Sequence, residues 1–130
     1  MKRMATIFGI VFLAAGIAGF IPALCPNGLL FGVLAVNTMH NLVHIATGLI
    51  ALIVAAMGDG PTRMYFRVFG IVYLLVAVMG LFAKGGNVLG MANNMPDVIF
   101  HFVVAAFALY CGFAGRSKLL PPRGPDLRGA

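Results

Sequence analysis

The sequence predicts an all-α integral membrane protein, a bundle of four transmembrane helices built from two parallel helical-hairpin repeats. Composition comes first. Of 130 residues 62% are hydrophobic and 9% charged, with a mean hydropathy of +1.03, whereas a soluble domain carries roughly 25% charged residues. The second observation is four apolar stretches, at residues 5–21, 41–57, 64–82 and 98–113, each near the ~20 residues a bilayer crossing needs once its first turn is added. The third is an internal repeat. Too little polar alternation exists for a membrane barrel, so each segment must satisfy its own amides as a helix.

Each element has its punctuation. The first stretch ends where Pro22, Pro26 and Gly28 break the chain. The second stops at Gly58-Asp59-Gly60-Pro61, which also starts the third. The connections at 24–36 and 85–93 are apolar and glycine-containing, and read as loops resting at the interface or over the bundle mouth. One transmembrane domain, residues 1–114, is expected, with repeat one at about 5–57 and repeat two at about 62–114. A basic cytoplasmic tail at 115–130 follows.

The cations set an orientation. Lys2, Arg3, Arg63, Arg67, Arg116, Lys118, Arg123 and Arg128 fall on one side of the four spans, and Lys84 alone on the other. By the positive-inside rule both termini are cytoplasmic and the membrane is a bacterial inner membrane. The first stretch reads as a span, because Leu24 stands before Cys25 where a lipid-attachment site wants a small residue and the apolar run is long for a leader. In the tail Arg116, Lys118, Arg123 and Arg128 against Asp126 leave +3, a basic flank suited to anionic lipid head groups. No nucleic acid is implied.

The repeat is explicit. Phe8-Gly9-Ile10-Val11-Phe12-Leu13 returns as Phe69-Gly70-Ile71-Val72-Tyr73-Leu74, and the segment from Asn37 to His44 is answered by that from Asn94 to His101. An even number of spans per unit relates the copies by a pseudo-two-fold axis along the membrane normal. Small residues keep helical spacing on matching faces: Gly48, Ala51 and Ala55 below His44, Ala105, Ala108 and Gly112 below His101, with Gly9, Gly16 and Gly70 on helices one and three. Small residues let membrane helices approach closely, so these faces are read as packing surfaces.

Polar side chains are costly at this depth, and Asn37, His40, Asn41, His44, Asn94, Asp97 and His101 form the candidate cluster. Helix capping accounts for Asn37, Asn94 and Asp97. It leaves His44 and His101, two turns or about 10 Å below the helix start. One reading is a structural network in which these histidines bond Asn41, a carbonyl or each other. A second is a metal site: His40 and His44 are four apart, as are Asp97 and His101, so three imidazoles and a carboxylate can face one point. A third is haem between His44 and His101, with Gly48 making room; the missing arginine on that side and the close-packed faces weigh against it. The acids are three aspartates with no glutamate, the one serine is Ser117, and no phosphate loop is present. The sequence therefore reads as non-enzymatic, a structural or accessory protein associating with itself or with a larger membrane complex, with no resident cofactor in that first reading.

The doubled Asn-x-x-His/Asp-Asn-x-x-His pattern on four spans resembles the bacterial membrane family known as domain of unknown function 4383, over about residues 6–112. Asn37, His40, Asn41 and His44 fit the first copy, and Asn94, Asp97 and His101 the second, where Val98 stands in place of the second asparagine. The resemblance implies a small four-helix inner-membrane protein and supplies no catalytic residues.

Overall fold

The computed structural model describes residues 1–114, so the tail expected at 115–130 lies outside the described residues. Four helices carry the fold: α1 (Lys2–Ala18), α2 (Thr38–Met57), α3 (Asp59–Phe82) and α4 (Met95–Phe113). Three of them, α2, α3 and α4, are long and apolar enough to cross a membrane. α1 has 17 residues. It ends three residues before the expected limit at Ile21, because Ile21 is extended (φ −95°, ψ 108°) ahead of Pro22, as the residue before a proline prefers. The other three begin three to five residues earlier than the apolar runs do: asparagine-capped polar turns open α2 and α4, and the turn from Asp59 to Thr62 opens α3 without a side-chain cap.

α1 packs chiefly along α2 and α3 along α4. The seams are set by glycine. A Cβ added at Gly48 would lie 2.6 Å from the backbone nitrogen of Leu13 and 2.7 Å from the carbonyl oxygen of Gly9. One at Gly112 would lie 2.8 Å from the nitrogen of Arg67, and one at Gly16 2.8 Å from the carbonyl of Asn41. Gly9 faces the side chain of Leu52, and Gly70 faces Leu109. Ala51, Ala55, Ala105 and Ala108 are buried beside them.

Between the two helix pairs runs an aromatic column. Phe8 meets Phe69 edge-on at 4.8 Å and Phe66 at 5.5 Å, while Phe69 stacks on Tyr73 at 4.0 Å. Such pairs add directional preference to the area they bury. From the N-terminal part of α3, Arg67 Nε donates to the carbonyl of Gly112 (2.8 Å) and Arg63 Nη1 to that of Ala114 (3.3 Å). The same cations that set the orientation rule thus satisfy the last carbonyls of α4.

The connections expected as loops contain two short antiparallel hairpins, which adds strand to the expected all-α class. β1 (Leu29–Leu30) pairs with β2 (Leu34–Ala35), and β3 (Asn87–Val88) with β4 (Met91–Ala92). Their turns have left-handed residues at Phe31 (φ 53°) and Gly32 (φ 74°), and at Leu89 (φ 52°) and Gly90 (φ 84°). Two consecutive positive φ values match the right-handed twist of the strands. Each hairpin delivers the chain to an asparagine cap, and so to the polar cluster.

Candidate functional site

Both cluster helices start the same way. Asn37 Oδ1 accepts from the His40 amide (3.0 Å) and Asn94 Oδ1 from the Asp97 amide (3.1 Å). Asp97 returns a bond by accepting from the Asn94 amide (2.9 Å), completing a capping box on α4. The other half of each asparagine crosses over. Asn37 Nδ2 donates to the carbonyl of Gly90 (2.9 Å) and Asn94 Nδ2 to that of Val33 (2.7 Å). Each cap thereby holds the opposite hairpin's turn.

His40 and Asp97 occupy the third helical position of α2 and α4. The Oδ2 atom of Asp97 that caps Asn94 also accepts from the Ala35 amide (3.1 Å). His40 Nδ1 lies 2.8 Å from the carbonyl oxygens of both Ala35 and Ala92. A carbonyl only accepts, so Nδ1 carries the proton and shares it between them. In the neutral ring this leaves a lone pair on Nε2, which is buried with no partner among the described residues. An imidazole whose far nitrogen is fixed by a backbone carbonyl is the usual arrangement of a metal-ligating histidine.

The three imidazoles converge. One ring nitrogen each of His40, His44 and His101 lies within 4.8 Å of the others, and the residues are only 1%, 2% and 3% exposed. The His40 and His44 ring centres are 4.4 Å apart, and those of His40 and His101 5.8 Å. Besides His40 Nε2, both ring nitrogens of His44 and Nδ1 of His101 have no hydrogen-bond partner among the described residues. The bonds expected of His44 to Asn41, to a carbonyl or to His101 are not made. A buried donor or acceptor left so costs on the order of 1–3 kcal/mol, and one nitrogen from each of the three rings lies close enough to the others to face a common point.

Asp97 stands outside this group, its Oδ2 engaged by two backbone amides. Asn41 faces the other way, towards the end of α1, where a Cβ on Gly19 would collide with its side chain. Val98 takes the matching place against Gly80, 2.8 Å from a Cβ there. The asparagine-to-valine departure therefore lies at a helix contact and not in the imidazole cluster.

The cluster opens on a cavity of about 240 Å³ whose wall is otherwise apolar, including Val43, Val72, Val76 and Leu89. Below it Phe12 meets His44 at 5.2 Å and Tyr73 meets His101 at 5.4 Å, both edge-on. Tyr73, whose hydroxyl oxygen is 3.3 Å from Thr47 Oγ1, also lines the cavity. Sequence reasoning missed Ala35 and Ala92, whose backbone carbonyls orient His40. The only sequence trace is the shared spacing of Ala35 to Asn37 and Ala92 to Asn94, which does not show that these backbone carbonyls turn towards His40.

Neither a curated protein nor a solved structure matches the chain. The family model described as domain of unknown function (DUF4383) matches residues 2–114, and over that span the chain belongs to this family.

Proposed function

We propose that this is a membrane protein that binds one transition-metal ion through His40, His44 and His101. The observation that carries the reading is the three buried imidazoles within 4.8 Å, with four unpartnered nitrogens between them. Bond lengths of about 2.0–2.1 Å in a tetrahedral arrangement bring ligand nitrogens to about 3.4 Å from one another. Small ring rotations cover the difference. Imidazole donors suit zinc, copper, cobalt or nickel, and among the described residues no carboxylate joins the group, which argues against magnesium or calcium. An ion suits the cluster better than haem, because the rings of Phe12, His40 and Tyr73 crowd His44 and His101 at 4.4–5.8 Å.

The setting we propose is a four-span bundle in an inner membrane, with α1 as the fourth span and both termini cytoplasmic. The histidine cluster then lies at the outer ends of α2 and α4. Matched contacts support two repeated hairpins: Gly9 against Leu52 and Gly70 against Leu109 stand at corresponding positions of the two halves. The tail at 115–130 serves as a basic flank for anionic lipids.

The test is metal uptake by the purified chain in detergent. Zn(II) or Co(II) binds at one ion per chain, and His44→Ala and His101→Ala each weaken binding at least 100-fold while the helical circular dichroism is unchanged. At free metal 100-fold above Kd, the unsubstituted protein gains about 2.7 kcal/mol of stability. Equal uptake by the variants and the parent rules the site out. A folded chain that takes up no metal leaves the reading as a structural or accessory protein, associating with itself or a larger membrane complex, which rests on the packing instead.

A further inference from the structure

We infer that the metal in this site keeps one coordination position open to the apolar cavity, and that the position takes a small monoanion. The inference rests on the three-histidine reading and deepens it. Three protein donors leave a tetrahedral ion one ligand short, the arrangement of sites that exchange a ligand, where closed structural sites supply four. Among the described residues the metal-ligating group contains the three histidines alone. Asp97, the carboxylate nearest in sequence to His101, has its Oδ2 atom held by the amides of Ala35 and Asn94. The cavity of about 240 Å³ is the free volume the imidazoles border, so the fourth ligand comes from there.

Charge and shape define that ligand. Neutral imidazoles cancel none of a divalent ion's charge, and a buried net charge is costly unless paired. An anion in the fourth position halves it. Beyond the metal the ligand meets the side chains of Met39, Val43, Val72, Val76, Leu89 and Met91, which donate nothing, and Tyr73 brings a single hydroxyl, 3.3 Å from Thr47 Oγ1. Phosphate or sulfate would leave its remaining charged oxygens unsolvated there, a large penalty. Hydroxide, azide or another small ion with one binding atom meets no such penalty.

Co(II)-loaded protein tests this through its visible ligand-field absorption. Azide is expected to shift the band saturably, and sulfate and phosphate at the same ionic strength to leave it unchanged. Val76→Phe, which fills the cavity, weakens the azide response at least tenfold with Co(II) stoichiometry kept at one; Val43→Phe is the second variant should the first fail to fold. Co(II) uptake with a spectrum indifferent to azide overturns the open position while leaving the three-histidine site intact. A shift with sulfate equal to that with azide, or an azide response unaltered in both filled variants, overturns the cavity assignment. No Co(II) uptake at all removes the metal reading and this inference with it.

Discussion

The α1–α2 half and the α3–α4 half carry the same contacts to different ends. His40 and Asp97 hold matching positions, one donating a proton to carbonyls and the other accepting from amides. Both reach Ala35, so the first hairpin is gripped through its carbonyl by one half and through its amide by the other. Two identical residues could not do this. Had both been histidine, the Ala35 and Asn94 amides would lose their acceptor; had both been aspartate, two buried carbonyls would face a carboxylate with no donor between them. The divergence also leaves three imidazoles in place of a symmetric four. A matched scaffold with a mismatched rim is thus how the chain obtains an asymmetric site.

The halves also differ in where they are tightest. In the first, the close approach is at Gly48, against Gly9 and Leu13, and in the second at Gly112, against Arg67. Ala105 fills the place matching Gly48, and Ala55 that matching Gly112. Gly48→Leu is therefore expected to have the largest effect of any single packing change, about 3 kcal/mol or failure to assemble, because the obstructing atoms are backbone and cannot rotate away. Ala105→Gly should lower stability by about 1–2 kcal/mol, the entropic cost of glycine in a helix plus the loss of one buried methyl. Thermal unfolding in detergent measures both. Equal losses would mean that the two seams are equivalent and that the comparison is empty.

At the rim the asymmetry predicts unequal caps. Asn37 and Asn94 each accept one amide and each donate to the opposite turn, but only Asn94 is answered by a capping box. Replacing either with alanine should cost about 1–2 kcal/mol, Asn94→Ala less, since the Asp97 carboxylate still accepts from the backbone amide of residue 94 and holds that helix start. An equal or larger loss at Asn94 would show that the box adds nothing to the cap.

How far this was legible in the sequence depends on the range of each interaction. Helix ends, asparagine caps and the small-residue faces are local or periodic, and residues such as Pro22, Asn94 and Gly48 announce them. That His44 and His101 lie on corresponding faces was legible from the repeat. That they meet His40 and leave out Asp97 was not, because the choice is made by the carbonyls of Ala35 and Ala92, which any residue type supplies. The hairpins were hidden for a related reason: Leu29–Ala35 and Asn87–Ala92 are too short for periodicity, and their turns place Phe31 and Leu89 where asparagine is expected.

Those two turn residues give the finest separation of the halves. Phe31 (φ 53°) and Leu89 (φ 52°) are 67% and 70% exposed, so each has left-handed strain with little burial in return. A left-handed L-residue costs about 1–2 kcal/mol, and glycine gives back about 0.4–1 kcal/mol through the freer unfolded chain. Phe31→Gly and Leu89→Gly are each expected to raise stability by about 0.5 kcal/mol. Their expected consequences diverge at the proposed metal site. Leu89 borders the cavity beside the imidazoles and Phe31 does not, so Leu89→Gly should speed azide exchange on Co(II) and Phe31→Gly leave it unaltered. Should both variants change the exchange rate alike, the hairpin tips act through the shared asparagine cross-bonds to Val33 and Gly90, and the mouth of the cavity is held by both halves together.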